Sequence, residues 1–175
     1  YPQQHVPIAI YSPQANKTFF CYGGTTARGG KGKQELLHMV SFFDHATGKV
    51  PRPTILLNKH TDDAHDNPTI SLDAAGYIWV FSSSHGTSRP SYVHRSKQPY
   101  SVEEFEPVLE SNFSYTQPWF IPGHGFLFLH TRYADGRNLY WMIAKSQSIA
   151  KFAGEIRSTL DNGAIARSLH DQSFS

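Results

Sequence analysis

A hairpin-like pattern is written three times along this chain, and that repetition limits its fold more than any other feature. Pro7-Ile8-Ala9-Ile10 passes through the polar turn Ser12 to Lys17 into the apolar run Thr18-Phe19-Phe20-Cys21-Tyr22. Pro68-Thr69-Ile70-Ser71-Leu72 passes through Asp73-Ala74-Ala75-Gly76 into Tyr77-Ile78-Trp79-Val80-Phe81, and Pro118-Trp119-Phe120-Ile121 passes through Pro122-Gly123-His124-Gly125 into Phe126-Leu127-Phe128-Leu129. The opening prolines Pro7, Pro68 and Pro118 recur at roughly the 40 to 50 residue period of propeller blades, the first interval being somewhat longer. Each apolar run is short, aromatic or β-branched, and bounded by Gly, Pro, Asn or Asp, as a buried inner strand requires.

Further strands follow in each unit. Leu36 to Phe43, the turn Asp44 to Lys49 and Pro53 to Leu57 complete the first; Pro90 to Ser96 continues the second, and Asn138 to Ile143 the third. The expected fold is all-β, a β-propeller with blades at about 1-60, 61-110 and 111-145. Propellers typically close with about 4 to 8 blades, so three blades predict a fragment of a larger ring, with the missing propeller blades as partners. From Ser148 to Leu160 the pattern changes: Ile149, Phe152, Ile156 and Leu160 stand at helical spacing before Asp161-Asn162-Gly163. Residues 146-175 are therefore expected to be an atypical, short helical C-terminal tail, and an insertion, a sequence boundary or an altered reading frame all fit it.

Composition narrows the function classes. Hydrophobic residues make up 39%, charged residues 17% and aromatic residues 14% of the chain, which suits short strands and aromatic-lined surfaces. The net charge of +2 supplies no basic field for nucleic-acid binding by counterion release. Ten histidines predict a markedly cationic chain below about pH 6, suited to anionic ligands. The single cysteine, Cys21, excludes an intrachain disulfide and a thiolate zinc site, and its apolar setting predicts a buried, inert thiol. No apolar stretch approaches the ~20 residues of a membrane span. Tyr1-Pro2-Gln3-Gln4 has no signal-peptide pattern, and Arg28-Gly29-Gly30-Lys31-Gly32-Lys33 reads as a solvated basic loop.

Three polar constellations flank the hairpins. Asp62-Asp63-Ala64-His65-Asp66-Asn67-Pro68 precedes the second hairpin, on a loop expected to converge on the central channel, although Asp and Asn are also ordinary turn and capping residues. Ser82-Ser83-Ser84-His85-Gly86 ends the run Tyr77 to Phe81, with a glycine expected to bring the backbone near whatever His85 faces. Ser114-Tyr115-Thr116-Gln117 precedes the third hairpin, and His130-Thr131-Arg132-Tyr133 follows its apolar run. Matching the repeats puts Tyr115 where His65 stands, and Arg132 where Ser84 and His85 stand. Two adjacent blades would then send His65, His85, Tyr115 and Arg132 into one neighbourhood. Ser71 to Trp79 has the composition of the Ser-x-Asp-x-Gly-x-x-Trp box of sialidase propellers with one residue too many before Gly76, and reads as a structural turn.

Taken in order, Asp62 to Pro68, Asp73-x-x-Gly76-Tyr-Ile-Trp-Val-Phe81, Ser84-His85-Gly86, Ser91-Tyr-Val-His-Arg-Ser96, Ser114-Tyr-Thr-Gln117 and Leu129-His-Thr-Arg132 resemble the BNR-repeat-containing family. That family includes propeller lyases that cut ulvan. The likeness spans roughly residues 1 to 145. It implies a secreted bacterial protein, extracellular or periplasmic, bound to an anionic polysaccharide; no cofactor and no metal ligand among the site residues are predicted, and a structural metal is left open. It further implies His65, His85, Tyr115 and Arg132 as the active-site set, and Asn67, Tyr92, Arg95, Trp119, His130 and Tyr133 as substrate contacts.

β-Elimination at a uronic acid suits those groups. A cation must offset the carboxylate and acidify the C5 proton, the work of Arg132 with His85; a base must take that proton and an acid must protonate the departing O4. His65 and Tyr115 are the candidates, in either order. Two alternatives compete with the lyase. One is a non-catalytic glycan-binding propeller whose aromatics stack on sugars. The other is a sialidase-like glycoside hydrolase, which would need arginines the sequence does not show.

Overall fold

The computed structural model describes residues 5–26, 34–133 and 137–144, the last of these as backbone. The basic loop Arg28 to Lys33 and the tail read as helical lie outside the described residues.

Alternating side chains and turn residues produce three antiparallel sheets. The first holds β1 (Ala9–Ser12), β2 (Lys17–Thr25), β3 (Leu36–Asp44) and β4 (Thr54–Asn58) in sequential order. The second holds β5 (Pro68–Leu72), β6 (Ile78–Ser82), β7 (Ser91–Ser96) and β8 (Phe105–Ser111), again in order. The third holds β9 (Ser114–Ile121), β10 (Gly125–Tyr133) and β11 (Arg137–Ala144). The first strands contact one another from sheet to sheet, β1 against β5 and β5 against β9. This is the up-and-down blade arrangement of a propeller, with the first strand of each sheet nearest the axis. The apolar runs taken from the sequence as innermost strands form the second strand, one step further out.

The reason lies in β6, which is buried along its whole length. Its alternate residues serve two different cores. Ile78 and Val80 join Phe19, Cys21, Val40, Ile70 and Val102 between the first and second blades. Trp79 and Phe81 join Val93, Leu109, Phe113, Phe126 and Phe128 between the second and third. A strand packed on both faces reads as continuous apolar sequence, whereas one-sided packing would leave an alternation. Cys21 sits in the first of these cores as a free thiol, pushed up in pKa by burial.

Hydrogen bonds stitch the blades where apolar packing stops. The amide of Ile70 donates to the carbonyl of Pro7 at 2.9 Å, and the hydroxyls of Thr69 and Thr116 share a bond of 2.8 Å between β5 and β9. His38 in β3 pairs through Nδ1 with Ser82 Oγ at 2.8 Å, and Ser114 Oγ donates to the carbonyl of Ser84. The turn from β5 to β6 is pinned by Asp73, which accepts from the amides of Ala75 and Tyr77 and, at 2.9 Å, from the buried indole N–H of Trp79. Gly76 closes that turn at φ +88°, where an added Cβ would run into the Tyr100 ring. The box-like stretch Ser71 to Trp79 is thus a structural turn, as its sequence suggested.

Candidate functional site

Strand direction decides which loops meet. β5 and β9 start, and β6, β8 and β10 end, at the same edge of the sheets. The loops 59–67, 83–90 and 112–113 therefore share one face with the end of β10.

On that face the rings of His65 and His85 lie 4.6 Å apart between centroids, tilted by 32°. Tyr115 stands edge-on to both, at 6.4 Å from His65 and 6.1 Å from His85. Tyr133 meets His85 at 5.8 Å, and His5 meets Tyr115 at 5.3 Å. The imidazoles are partly open, with 34% and 37% of their side-chain surface exposed, while Tyr115 is 9% exposed.

Tyr115 reaches this position through a strained backbone. Between Leu129 and Thr131 of β10 the register of β9 shifts, and Tyr115 sits in that irregularity at φ +50°. A bulky aromatic residue rarely adopts the left-handed region, and such strain persists only where its surroundings enforce it. β-Bulges re-aim side chains and are frequent beside active sites. Gly86, by contrast, has open space around a virtual Cβ; its φ of +76° serves the loop turn, not the close approach expected of it.

Beneath the imidazoles lies a charge array that sequence reasoning did not single out. Asp63 caps a single 3-10 turn, Ala64–Asp66, accepting the His65 amide at 3.0 Å. Asp63 Oδ1 also accepts from His65 Nδ1 at 2.7 Å, and Oδ2 accepts from His85 Nδ1 at 3.1 Å and from Arg89 Nη2 at 3.2 Å. Arg89 is held in turn by the buried Asp66, through Nε at 2.9 Å and Nη2 at 3.0 Å. Asp66 further accepts the His85 amide at 2.7 Å and faces Lys59 Nζ at 3.7 Å.

The electrostatics follow from these contacts. Partial burial alone would raise the Asp63 carboxyl, but the His65 amide and the two imidazoles outweigh it and hold the group well below the usual carboxylate range. Hydrogen bonding to Asp66 raises Arg89. Burial lowers Lys59 to about 8 against the pull of Asp66. His5 is lowered by burial to about 4.

The remaining predicted residues are spread more widely. Arg132 is half-buried in β10 beside Tyr133, and its charge adds to the burial that lowers His130 to about 3. His130 itself is buried in the core, stacked on Phe128 at 4.7 Å. Asn67 lines a cavity of about 220 Å3 with His5, Ile8, Tyr22 and Pro68 beside the cluster. Tyr92 lines another of about 190 Å3 with Asn58, Lys59, His60, Arg89 and Pro90. Arg95 and Trp119 are not brought to the cluster. Arg95 pairs with Trp79 in the sheet register, donates to Glu106 at 2.9 Å and covers the Tyr77 ring, and Trp119, 43% exposed, lies toward the opposite end of β9.

Among the described residues, Asp63, His65 and His85 form a group with the ligand types to hold a metal ion. Here both Nδ1 atoms already donate to Asp63, and the Arg89 guanidinium occupies Oδ2. A further cation would have to displace these contacts.

No protein-family model matches the sequence, and neither does any curated protein. Among the solved structures that match the fold are two of polysaccharide lyases. One is a polysaccharide lyase of family PL25, an ulvan lyase bound to -[GlcA(1-4)Rha3S]-, with a TM-score of 0.68 and 18% identity over 85% of this chain. The other is a second structure of a PL25 ulvan lyase, with a TM-score of 0.67 and 19% identity over 85% of this chain. The chain spans 36% of the length of each. It is an all-β, propeller-type chain whose fold is similar to that of ulvan lyases.

Proposed function

We propose that this chain is part of a propeller polysaccharide lyase that cleaves a uronate-containing glycan by β-elimination. The observation that carries the reading is Tyr115, whose left-handed backbone aims a phenol ring at two neighbouring imidazoles on a shared face. Backbone strain of this kind clusters at active sites and ligand clamps. The likeness to ulvan lyases supports the same substrate class, and the remaining blades of the ring belong to the same proposal. A polymeric glycan is met outside the cell, so the same proposal has the protein working outside the cytoplasm.

In this reading Arg132 offsets the uronate carboxylate, joined by His85 when its ring is charged. Negative charge developing at C5 is then stabilised as the proton leaves. One of Tyr115 and His65 takes the C5 proton. The electron pair of the C5–H bond becomes the C4=C5 double bond, the C4–O4 bond breaks, and the other group protonates O4. Atoms and charge balance without a cofactor or a water molecule.

The test is turnover by the intact protein on a panel of uronate polysaccharides, followed by the ultraviolet absorbance of the unsaturated product. Tyr115→Phe should lower turnover by ~10²-fold or more while glycan affinity is retained. An absorbance gain unaffected by Tyr115→Phe would remove the phenol from the chemistry. Binding to glycans with no absorbance gain across the panel would leave a glycan-binding propeller and end the lyase reading.

A further inference from the structure

We infer that Asp63 is a positioning residue that holds His65 and His85 in one tautomer, with Nδ1 protonated and Nε2 unprotonated on both rings. The inference rests on the lyase reading for its consequence, though not for its geometry.

An ionised carboxylate only accepts hydrogen bonds, so each ring nitrogen that faces Asp63 must carry the proton. His65 Nδ1 meets Oδ1 at 2.7 Å and His85 Nδ1 meets Oδ2 at 3.1 Å. A neutral imidazole that donates through Nδ1 presents a lone pair at Nε2, and the partner of one nitrogen thereby sets the chemistry of the other. A single carboxylate thus defines both imidazoles, whose rings lie 4.6 Å apart. In that tautomer the basic atom of each neutral ring is Nε2, which carries a proton only when the ring is charged.

The carboxylate is itself held in place. Oδ1 also accepts the His65 amide at 3.0 Å, and Oδ2 also accepts Arg89 Nη2 at 3.2 Å. Arg89 is anchored by Asp66, which accepts the amide of His85 at 2.7 Å. The same two acids therefore orient the second ring from its backbone and from its side chain. Each Asp63 oxygen has two donors, so rotation of the carboxylate would break four bonds.

Asn in place of Asp keeps the shape but supplies one acceptor and one donor. If the amide oxygen stays with His65, the NH2 group faces both His85 Nδ1 and Arg89. Opposed to a donor, the His85 ring must shift its proton to Nε2. The intact protein labelled with 15N-histidine reads this directly, with His65→Gln and His85→Gln variants assigning the two rings.

Above the titration of the rings, both should show a protonated Nδ1 and an unprotonated Nε2 in the parent. In Asp63→Asn at least one should exchange the pattern, with turnover falling ~10² to 10⁴-fold and KM little changed. If Asp63→Asn fails to fold, the parent spectrum alone decides the tautomers. Mixed or Nε2-protonated rings in the parent would overturn the inference, as would an Asp63→Asn spectrum unchanged from the parent. The expected tautomers without turnover on any uronate glycan would end the lyase reading and leave the clamp standing. Loss of turnover on chelation with EDTA, restored by zinc that moves both Nδ1 signals, would make the triad a metal centre and overturn the clamp.

Discussion

Single residues carry unusual burdens around the two imidazoles. Asp66 is fully buried with Arg89 and Lys59 as its cationic partners, and Lys59 is buried almost as deeply while its ammonium donates to Ser84 Oγ at 2.6 Å and to the Pro90 carbonyl at 2.7 Å. Removing one partner of a buried ion pair leaves an uncompensated charge, which typically costs more than the pair contributed. Lys59→Met should therefore destabilise the protein by about 3 kcal/mol, read as a lower urea midpoint with an unchanged slope. His65, His85 and Tyr115 stood out in the sequence because each borders an apolar run. Asp63 and Asp66 did not, since Asp before a strand is an ordinary turn or capping residue. Asp63 is a cap here as well, and the same carboxylate also serves both imidazoles. Arg89, between Ser88 and Pro90, has no sequence signal pointing to Asp66, its partner across 23 residues.

At the level of strands, hydroxyl pairs do what apolar side chains do elsewhere. Thr69 in β5 and Thr116 in β9 are both fully buried, and each is the other's partner at 2.8 Å. Thr116→Val should cost about 1 to 3 kcal/mol, because the Thr69 hydroxyl is left buried and unpaired. Adding Thr69→Val should recover part of that loss, so a double-mutant cycle by chemical denaturation should show coupling between neighbouring blades. Additive losses would mean that the hydroxyls do not join the blades. Most strands were legible in the sequence, β5, β6 and β10 most plainly, because turn residues and alternation are local signals, whereas β8, with Glu106, Pro107 and Glu110 breaking its apolar pattern, was not. Which strand lies nearest the axis was not legible. Ile78 and Trp79 look alike in sequence yet face different cores, and only the packing of sheet on sheet tells them apart.

Across the whole molecule, histidine burial changes the acid response expected from composition. His38 is lowered to about 3 and His94 to about 4 by burial, beside His5 at about 4 and His130 at about 3. These four rings stay neutral in the folded protein at pH 6, so four of the ten histidines add no charge there until the chain unfolds. Between about pH 6.5 and the lowered values, the unfolded chain binds more protons than the folded one, and stability rises with pH. The contribution of these four rings is thus fully present above about pH 6.5 and is lost as the pH falls toward 4 and then 3. Thermal midpoints measured from pH 7 down to pH 4 should fall by several degrees or more, and a flat profile would show that these rings are not buried neutral. By itself the amino-acid sequence determined the all-β class, the three hairpin units and the residues bordering them, since periodicity and turn chemistry act over a few neighbours. Only the tertiary structure decided that Asp63 meets His85 across 22 residues and Arg89 across 26. The direction of each strand carries those loops to one face, and no local pattern encodes which loops will share it.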